Sequence, residues 1–351
     1  MGSPFDVEQQ LAELWRAAST DEQPVLRACS MNLVVVCDDG ERELAATTEL
    51  VGRIAETVPG RALVVGPPRP NGADALDVYV SAHCHRGAGG AQVCSEQVTI
   101  EPSCSTLDRV PGTILQLLVE DLPVYTWWRR RGLDGEPLFD PLAGLSDTWV
   151  LNSTGTTRPQ PHLESLRALA AREPWPGCVV DLAWVSLEPW RDAIASFFDN
   201  PAVRPALGGI TRIAISTGGP AAACGATVAG AYLAGWIASR VGLHPEGAVW
   251  RREDGGAVAL SLSAVSDLEP GEVSAVTIES EHNDARVVFE ARSTAARDCV
   301  SLVVSAGAHH LPSRRIRLPQ FDTAALACGV VQQTGRDAIF ESALSAAARI
   351  V

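Results

Sequence analysis

Two continuous apolar runs with a helical segment between them constrain this chain more than any other feature. Residues 27–37 (RACSMNLVVVC) are β-branched and unbroken at the centre, as in a strand buried on both faces. Residues 43–58 place Leu44, Val51, Ile54 and Val58 on one helical face and stop at Pro59-Gly60; RALVVG (61–66) follows at once. A buried strand, an amphipathic helix and a second buried strand form a βαβ unit, so the fold class is α/β.

The rest of the chain extends that pattern. Residues 7–18 form a helix with Val7, Leu11, Leu14 and Trp15 at helical spacing. Residues 75–84 and 92–100 form two strands joined by the glycine-rich 86–90, which suits a hairpin. Pro111 opens a helix, and strands follow at 122–128 and 148–154. The polar, proline-bearing TGTTRPQPH is the expected linker. Beyond it the pattern predicts a helix at 163–172, a strand at 178–184, a helix at 189–198, a strand at 210–217 and an Ala-rich helix at 221–241. Four turn-separated segments between 257 and 304 read as an antiparallel meander, and helices at 322–333 and 337–350 close the chain. The expectation is two α/β domains, 1–158 and 159–351. The first has a βαβ start and a mixed sheet, the second an antiparallel meander and packed helices.

Composition removes whole classes of function. All 28 basic residues are arginine, so no lysine exists for a P-loop, a Schiff base or a lysine general base. With 42 acidic residues the net charge is −14, which repels a polyphosphate backbone and argues against nucleic acid as a partner. The N-terminal residues lack a secretory pattern, and the longest apolar run, 221–242, carries Thr227, Ser239 and Arg240, against a membrane span. Nine scattered cysteines read as reduced thiols in a cytoplasmic protein.

No constellation announces chemistry. His83, Cys84 and His85, with Cys94 and Cys104, bear zinc-ligand types, but strand alternation puts Cys84 opposite the two histidines, and no metal is expected. Cys94 reads as a core thiol whose change to Ser costs about 1 kcal/mol. Gly218, Gly219, Gly225 and Gly230 follow a strand and precede a helix, but their spacing is not G-x-G-x-x-G. Close packing explains them better than a phosphate site, and no cofactor is expected. Cys224 lies in the same turn and reads as a buried thiol. The paired carboxylates Asp38-Asp39 and Glu120-Asp121 fall at element ends, and G-x-S-x-G is absent. Catalytic residues: none.

The unusual feature is aromatic. Trp127 and Trp128 directly precede Arg129, Arg130 and Arg131, and Trp184 is followed by Pro189, Trp190 and Arg191. Tryptophan and arginine dominate binding hot spots. Trp128, Arg129, Arg130, Arg131, Trp190 and Arg191 are therefore the candidate partner interface. Three consecutive guanidinium groups are costly to bury unpaired, so the run is expected at the surface, where its replacement leaves the melting temperature unchanged.

DLPV-x-x-WW at 121–128, DLAW-x-x-L-x-PWR at 181–191 and LAGWIASR-x-G at 233–242, in this order, resemble the OpcA family of bacterial glucose-6-phosphate dehydrogenase assembly proteins. The likeness runs from about 27 to 242. It implies a non-catalytic partner that acts as an allosteric effector, favouring the active oligomer of glucose-6-phosphate dehydrogenase in the pentose phosphate pathway. The rival from another class is a sugar-phosphate enzyme using the glycine turn at 218–225.

Overall fold

A computed structural model of the 351-residue chain describes residues 4–18, 25–38, 41–70, 76–86, 92–130, 132–133, 135–173, 175, 177–219, 226–246, 249–307, 309–333 and 335–351. It contains two compact units. Both are α/β, and neither is one stretch of chain: the first gathers 1–152, 173–180 and 322–336, the second 153–172, 181–321 and 337–351.

In the first unit the elements are α1 (Pro4–Ala18), β1 (Val25–Arg27), β2 (Asn32–Val36), α2 (Glu41–Thr57), β3 (Arg61–Val65), β4 (Asp77–Arg86), β5 (Gln92–Glu101), α3 (Val110–Leu117), β6 (Val124–Trp128), α4 (Phe139–Ala143) and β7 (Thr148–Leu151), with β8 (Cys178–Asp181) at its edge. The sheet order is β1-β5-β3-β2-β6-β7-β8, with β4 on the other edge of β5. The expected βαβ unit is β2-α2-β3, its strands parallel with Val34 opposite Leu63. Every residue of β2, β3 and β6 is buried, as the unbroken apolar runs require. Val51, Ile54 and Val58 of α2 are buried as well. Antiparallel β4 makes the sheet mixed.

Within this sheet Arg61 is 4% exposed at its side chain and donates to Glu96 Oε2 at 2.8 Å, Glu8 Oε1 at 2.6 Å and the Leu117 carbonyl at 2.9 Å. Glu96, equally buried, also accepts from Trp15 Nε1 at 2.8 Å and pairs with Arg27 at 2.6 Å. A buried pair persists only when its remaining hydrogen-bonding capacity is met, and here α1, α3, β1, β3 and β5 all contribute.

The second unit contains α5 (Pro159–Ala170), α6 (Leu182–Val185), α7 (Glu188–Ala195), β9 (Ile210–Gly218), α8 (Val228–Arg240), β10 (His244–Glu246), β11 (Val249–Arg251), β12 (Ala257–Val265), β13 (Val273–His282), β14 (Ala285–Ser293), β15 (Cys299–Ala306), β16 (His309–His310) and β17 (Arg314–Arg317). Helix α9 (Thr323–Val331) returns to the first unit, and α10 (Ala338–Ile350) completes the second. Sheet order is β10-β11-β12-β9-β13-β14-β15-β16, with β17 on β15. The meander is therefore β13-β14-β15; β9 inserts between β12 and β13, parallel to the former and antiparallel to the latter. That pairing is non-local and leaves no trace in strand spacing.

Helix ends obey local chemistry. Asp181, Thr227, Asp322 and Asp337 each accept a backbone N–H at a helix start. Half of the expected linker is helix, because Pro159 fits the first turn of α5. Helix α8 is buried on nearly every side, which explains its long apolar composition. Among the described residues no helix is long and apolar enough to cross a membrane. Gly235 is needed in α8: a Cβ there would stand 2.3 Å from the Ala343 carbonyl oxygen, so α8 and α10 cross at backbone contact.

The cysteine expectation fails at one pair. Cys84 lies directly opposite Cys94 in the β4-β5 register, with Cα atoms 4.1 Å apart, and the two form a disulfide. Strand alternation correctly separated Cys84 from its flanking histidines but could not say which residue it would face. Cys29, Cys37, Cys104, Cys178, Cys299 and Cys328 are free. A bridge with a sequence separation of 10 stabilises by about 2–3 kcal/mol through the unfolded chain. We therefore expect Cys94→Ser to lower the urea-unfolding free energy of oxidised protein by that amount, and a reductant to do the same to wild type. A loss unchanged by reductant would assign Cys94 to packing alone.

Candidate functional site

The order of β5, β3, β2, β6, β7 and β8 is that of a doubly wound sheet, which reverses between β2 and β6. Such sheets open a ligand crevice at the carboxyl ends of the two reversing strands. Here those ends are Val36 and Trp128, paired in register, and the Arg129 amide donates to the Val36 carbonyl at 2.9 Å. The arginine run thus emerges at the crevice.

It closes the crevice from within. Arg129 Nε donates to Glu43 Oε1 of α2 at 2.7 Å, with Nη2 on the same oxygen, and its guanidinium lies 5.2 Å from the centre of the Trp127 ring. Arg130 donates to the Cys37 carbonyl at 3.3 Å and pairs with Glu136. Their side chains are 19% and 10% exposed. Burial pushes the Cys37 thiol up to about 11, so it stays protonated and is no nucleophile. A pyrophosphate here would meet the Glu43 carboxylate, which already holds Arg129.

The expected exposure of Arg129 and Arg130 is thereby corrected; Arg131 lies outside the described residues. Trp128 is 1% exposed, stacks on Trp149 at 5.6 Å, meets Phe139 edge-on and donates to the Gly132 carbonyl at 2.7 Å. The cost of burying the arginines is met by Glu43 and Glu136, partners that the linear chain does not mark. Trp190 is likewise buried. Arg191 stacks 3.6 Å from the centre of the Trp184 ring and donates to the Trp184 carbonyl at 2.6 Å. Burial lowers its guanidinium to about 10, against the pull of Glu188, Asp337 and Asp192.

The second unit has a shallow cleft at the glycine turn, lined by Ser153, Thr154, Gly218, Gly219, Thr227 and Gly271 among others, with a cavity volume of only about 10 Å³. That is room for about one water, far below the ~300 Å³ at which small-molecule sites begin. Gly218 has a packing reason: a Cβ would stand 2.0 Å from the Glu269 carbonyl oxygen. Gly225 and Cys224 lie outside the described residues. Behind the cleft, Ser153 Oγ is 2.5 Å from His162 Nε2, a pair the sequence reading missed because no motif marks it. Asp181 does not complete a triad. Its Oδ1 accepts from the amides of Ser153 at 3.0 Å and Ala183 at 2.9 Å, and its Oδ2 from the Tyr232 hydroxyl at 2.6 Å. Ser153 has no solvent exposure. The arrangement ties loop, helix and cleft wall together, with the Ser153 hydroxyl buried inside it.

In the β4-β5 hairpin His83 Nε2 is 2.8 Å from Gln97 Oε1. Among the described residues no three His, Cys, Asp or Glu side chains converge as a metal site.

Two outcomes follow. Arg129→Ser and Arg130→Ser should each destabilise the protein by about 1–3 kcal/mol, since each leaves a partly buried carboxylate unpaired. Unchanged thermal melts would return the run to solvent. Burial holds the His162 imidazole below its ordinary range, although Asp181 pulls the other way. The unfolded chain therefore binds this proton first, and stability falls as pH drops below about 6.5 toward the lower folded value. His162→Gln should flatten the stability profile just below about pH 6.5; an unchanged slope refutes the assignment.

The chain matches two family models, the glucose-6-phosphate dehydrogenase subunit N-terminal domain over residues 51–168 and the C-terminal domain over 178–344. It is 26% identical over 301 residues to a Synechococcus elongatus protein named "Putative OxPP cycle protein OpcA", covering 79% of this chain and 65% of that one. A Synechocystis protein of the same name is 30% identical over 196 residues, covering 55% of this chain and 39% of that one. The chain thus spans less than two thirds of the length of these relatives. An oxidoreductase structure from Sinorhizobium meliloti aligns over 92% of this chain and 89% of its own at a TM-score of 0.46 and 12% identity, too distant to carry an argument. The two domain models together match most of the chain, in the order of the three sequence blocks, and the chain belongs to the OpcA family.

Proposed function

We propose that this protein is a non-catalytic, cytoplasmic partner of glucose-6-phosphate dehydrogenase that promotes the dehydrogenase's active oligomer, and so its activity, in the oxidative pentose phosphate pathway. Family membership carries the reading. The closed crevice supports it: where a doubly wound sheet would hold a dinucleotide, this chain places Arg129 on Glu43 and Arg130 on Glu136. Domains 1–158 and 159–351 are the linear division that goes with this proposal.

A partner shifts an oligomer equilibrium only by binding one state better than the other. Saturating amounts of this protein should lower the apparent KM of its cognate dehydrogenase for glucose 6-phosphate or move it to a larger species in sedimentation. By linkage, substrate should then tighten the complex. Neither change at saturation would defeat the proposal.

A further inference from the structure

The nine-stranded sheet of the second unit has two unlike faces. One is apolar and covered by helices: Ile213, Ile215, Val276, Ile278, Phe289 and Leu302 are all buried. On the other face the register aligns Ala259, Arg212, Glu279 and Val288, then Ser261, Ala214, Thr277 and Glu290, then Ser263, Ser216, Ala275 and Arg292. Of these only Ala275 is buried, and Ala259, Ser261, Ser263 and Arg212 are exposed. β17 extends the face with Arg315 opposite Ser301 and Arg317 opposite Cys299.

The face is basic in an acidic molecule. It carries Arg212, Arg286, Arg292, Arg315 and Arg317 against Glu279, Glu281 and Glu290, while the chain as a whole has a net charge of −14. Two arginines are neutralised in place, Arg286 by Glu279 at 2.7 Å and Arg292 by Glu290. Arg212 stands beside Glu279 in register, but that carboxylate takes Arg286 instead. Among the described residues Arg212, Arg315 and Arg317 make no ion pair. They project from a floor of alanine, serine and threonine, side chains that lose little entropy when covered.

The area fits a protein. Five strands of about nine residues, spaced about 4.8 Å apart and rising about 3.3 Å per residue, make a face of about 700 Å². A standard interface buries about 800 Å² per partner. A second copy packed face to face would oppose an excess of positive charge to itself, and the interleaved glutamates suit a phosphate backbone poorly.

We propose that this open face, with Arg212, Arg315 and Arg317 as its unpaired charges, is the surface on which the protein docks an acidic patch of its partner. The assignment rests on the dehydrogenase reading above and names the surface that reading lacks. It replaces Trp128–Arg130, Trp190 and Arg191, which are occupied inside the fold.

The test is titration of purified dehydrogenase from the same organism with the full chain, read by calorimetry and sedimentation. The variants are Arg212→Glu/Arg315→Glu/Arg317→Glu, Ser261→Trp, and Arg109→Glu as an exposed control in the first unit, each checked by its melt. We expect both face variants to weaken binding more than tenfold with unchanged melts, the wild-type affinity to fall with salt, and the control to bind as wild type. Tight binding by well-folded face variants overturns this assignment and leaves the partner reading standing. Failure of the wild type to bind overturns the partner reading and this assignment with it. A wild-type dimer dissociated by the face variants overturns it in favour of a second copy.

Discussion

A carboxylate with no access to water must have its lone pairs met from within the protein, and Asp181 is that group in the second unit. Its oxygens take two backbone amides and a tyrosine hydroxyl, so one side chain joins the loop at Ser153, the start of α6 and the middle of α8. Burial and the adjacent Asp181 charge hold the Tyr232 phenol well above its ordinary range, so it remains a donor at any physiological pH. Trp184, three residues on, packs against Tyr232 and Phe340 and donates to Asp337 at 3.2 Å, the residue that caps α10. Once α8 is anchored, the contact at Gly235 sets how closely α10 can follow.

The three blocks that carry the family likeness are therefore packing devices. Trp128 fills the layer against Trp149 and Phe139, the DLAW and PWR residues build the Asp181, Trp184 and Arg191 cluster, and LAGW carries the close helix crossing. Residues under such steric and hydrogen-bonding demands tolerate few replacements, so a family is recognised by them whether or not they touch a partner. Reading function directly from their aromatic and basic character placed the interface in the interior.

What the chain shows on inspection is what short-range physics decides. The βαβ unit, the β4-β5 pair and the two closing helices were legible because apolar runs and strand alternation act over a few residues. The insertion of β9 between β12 and β13 was not, since it depends on pairing between distant segments. At the candidate site the same division holds. The absence of a phosphate-type glycine spacing could be read from the chain, while the Arg129–Glu43 closure spans 86 positions, and the Cys84–Cys94 bridge needs the strand register.

An all-arginine complement sharpens the contrast between the interior and the open sheet. A planar guanidinium can stack on an indole and still donate in several directions, which an ammonium does less well. Arg61, Arg129, Arg130 and Arg191 use that geometry: each holds a carbonyl, a carboxylate or a tryptophan ring while largely buried. Such arginines are engaged within the fold, and removing one leaves a partly or fully buried acceptor without its donor. Arg212, Arg315 and Arg317 have the same forked donors and stand on a flat, exposed floor. Among the described residues no carboxylate pairs with them there, and the water around an exposed guanidinium is readily exchanged for the carboxylates of another surface. The difference between these two sets of arginines, more than their positions along the chain, separates what holds this protein together from what it can offer to a partner.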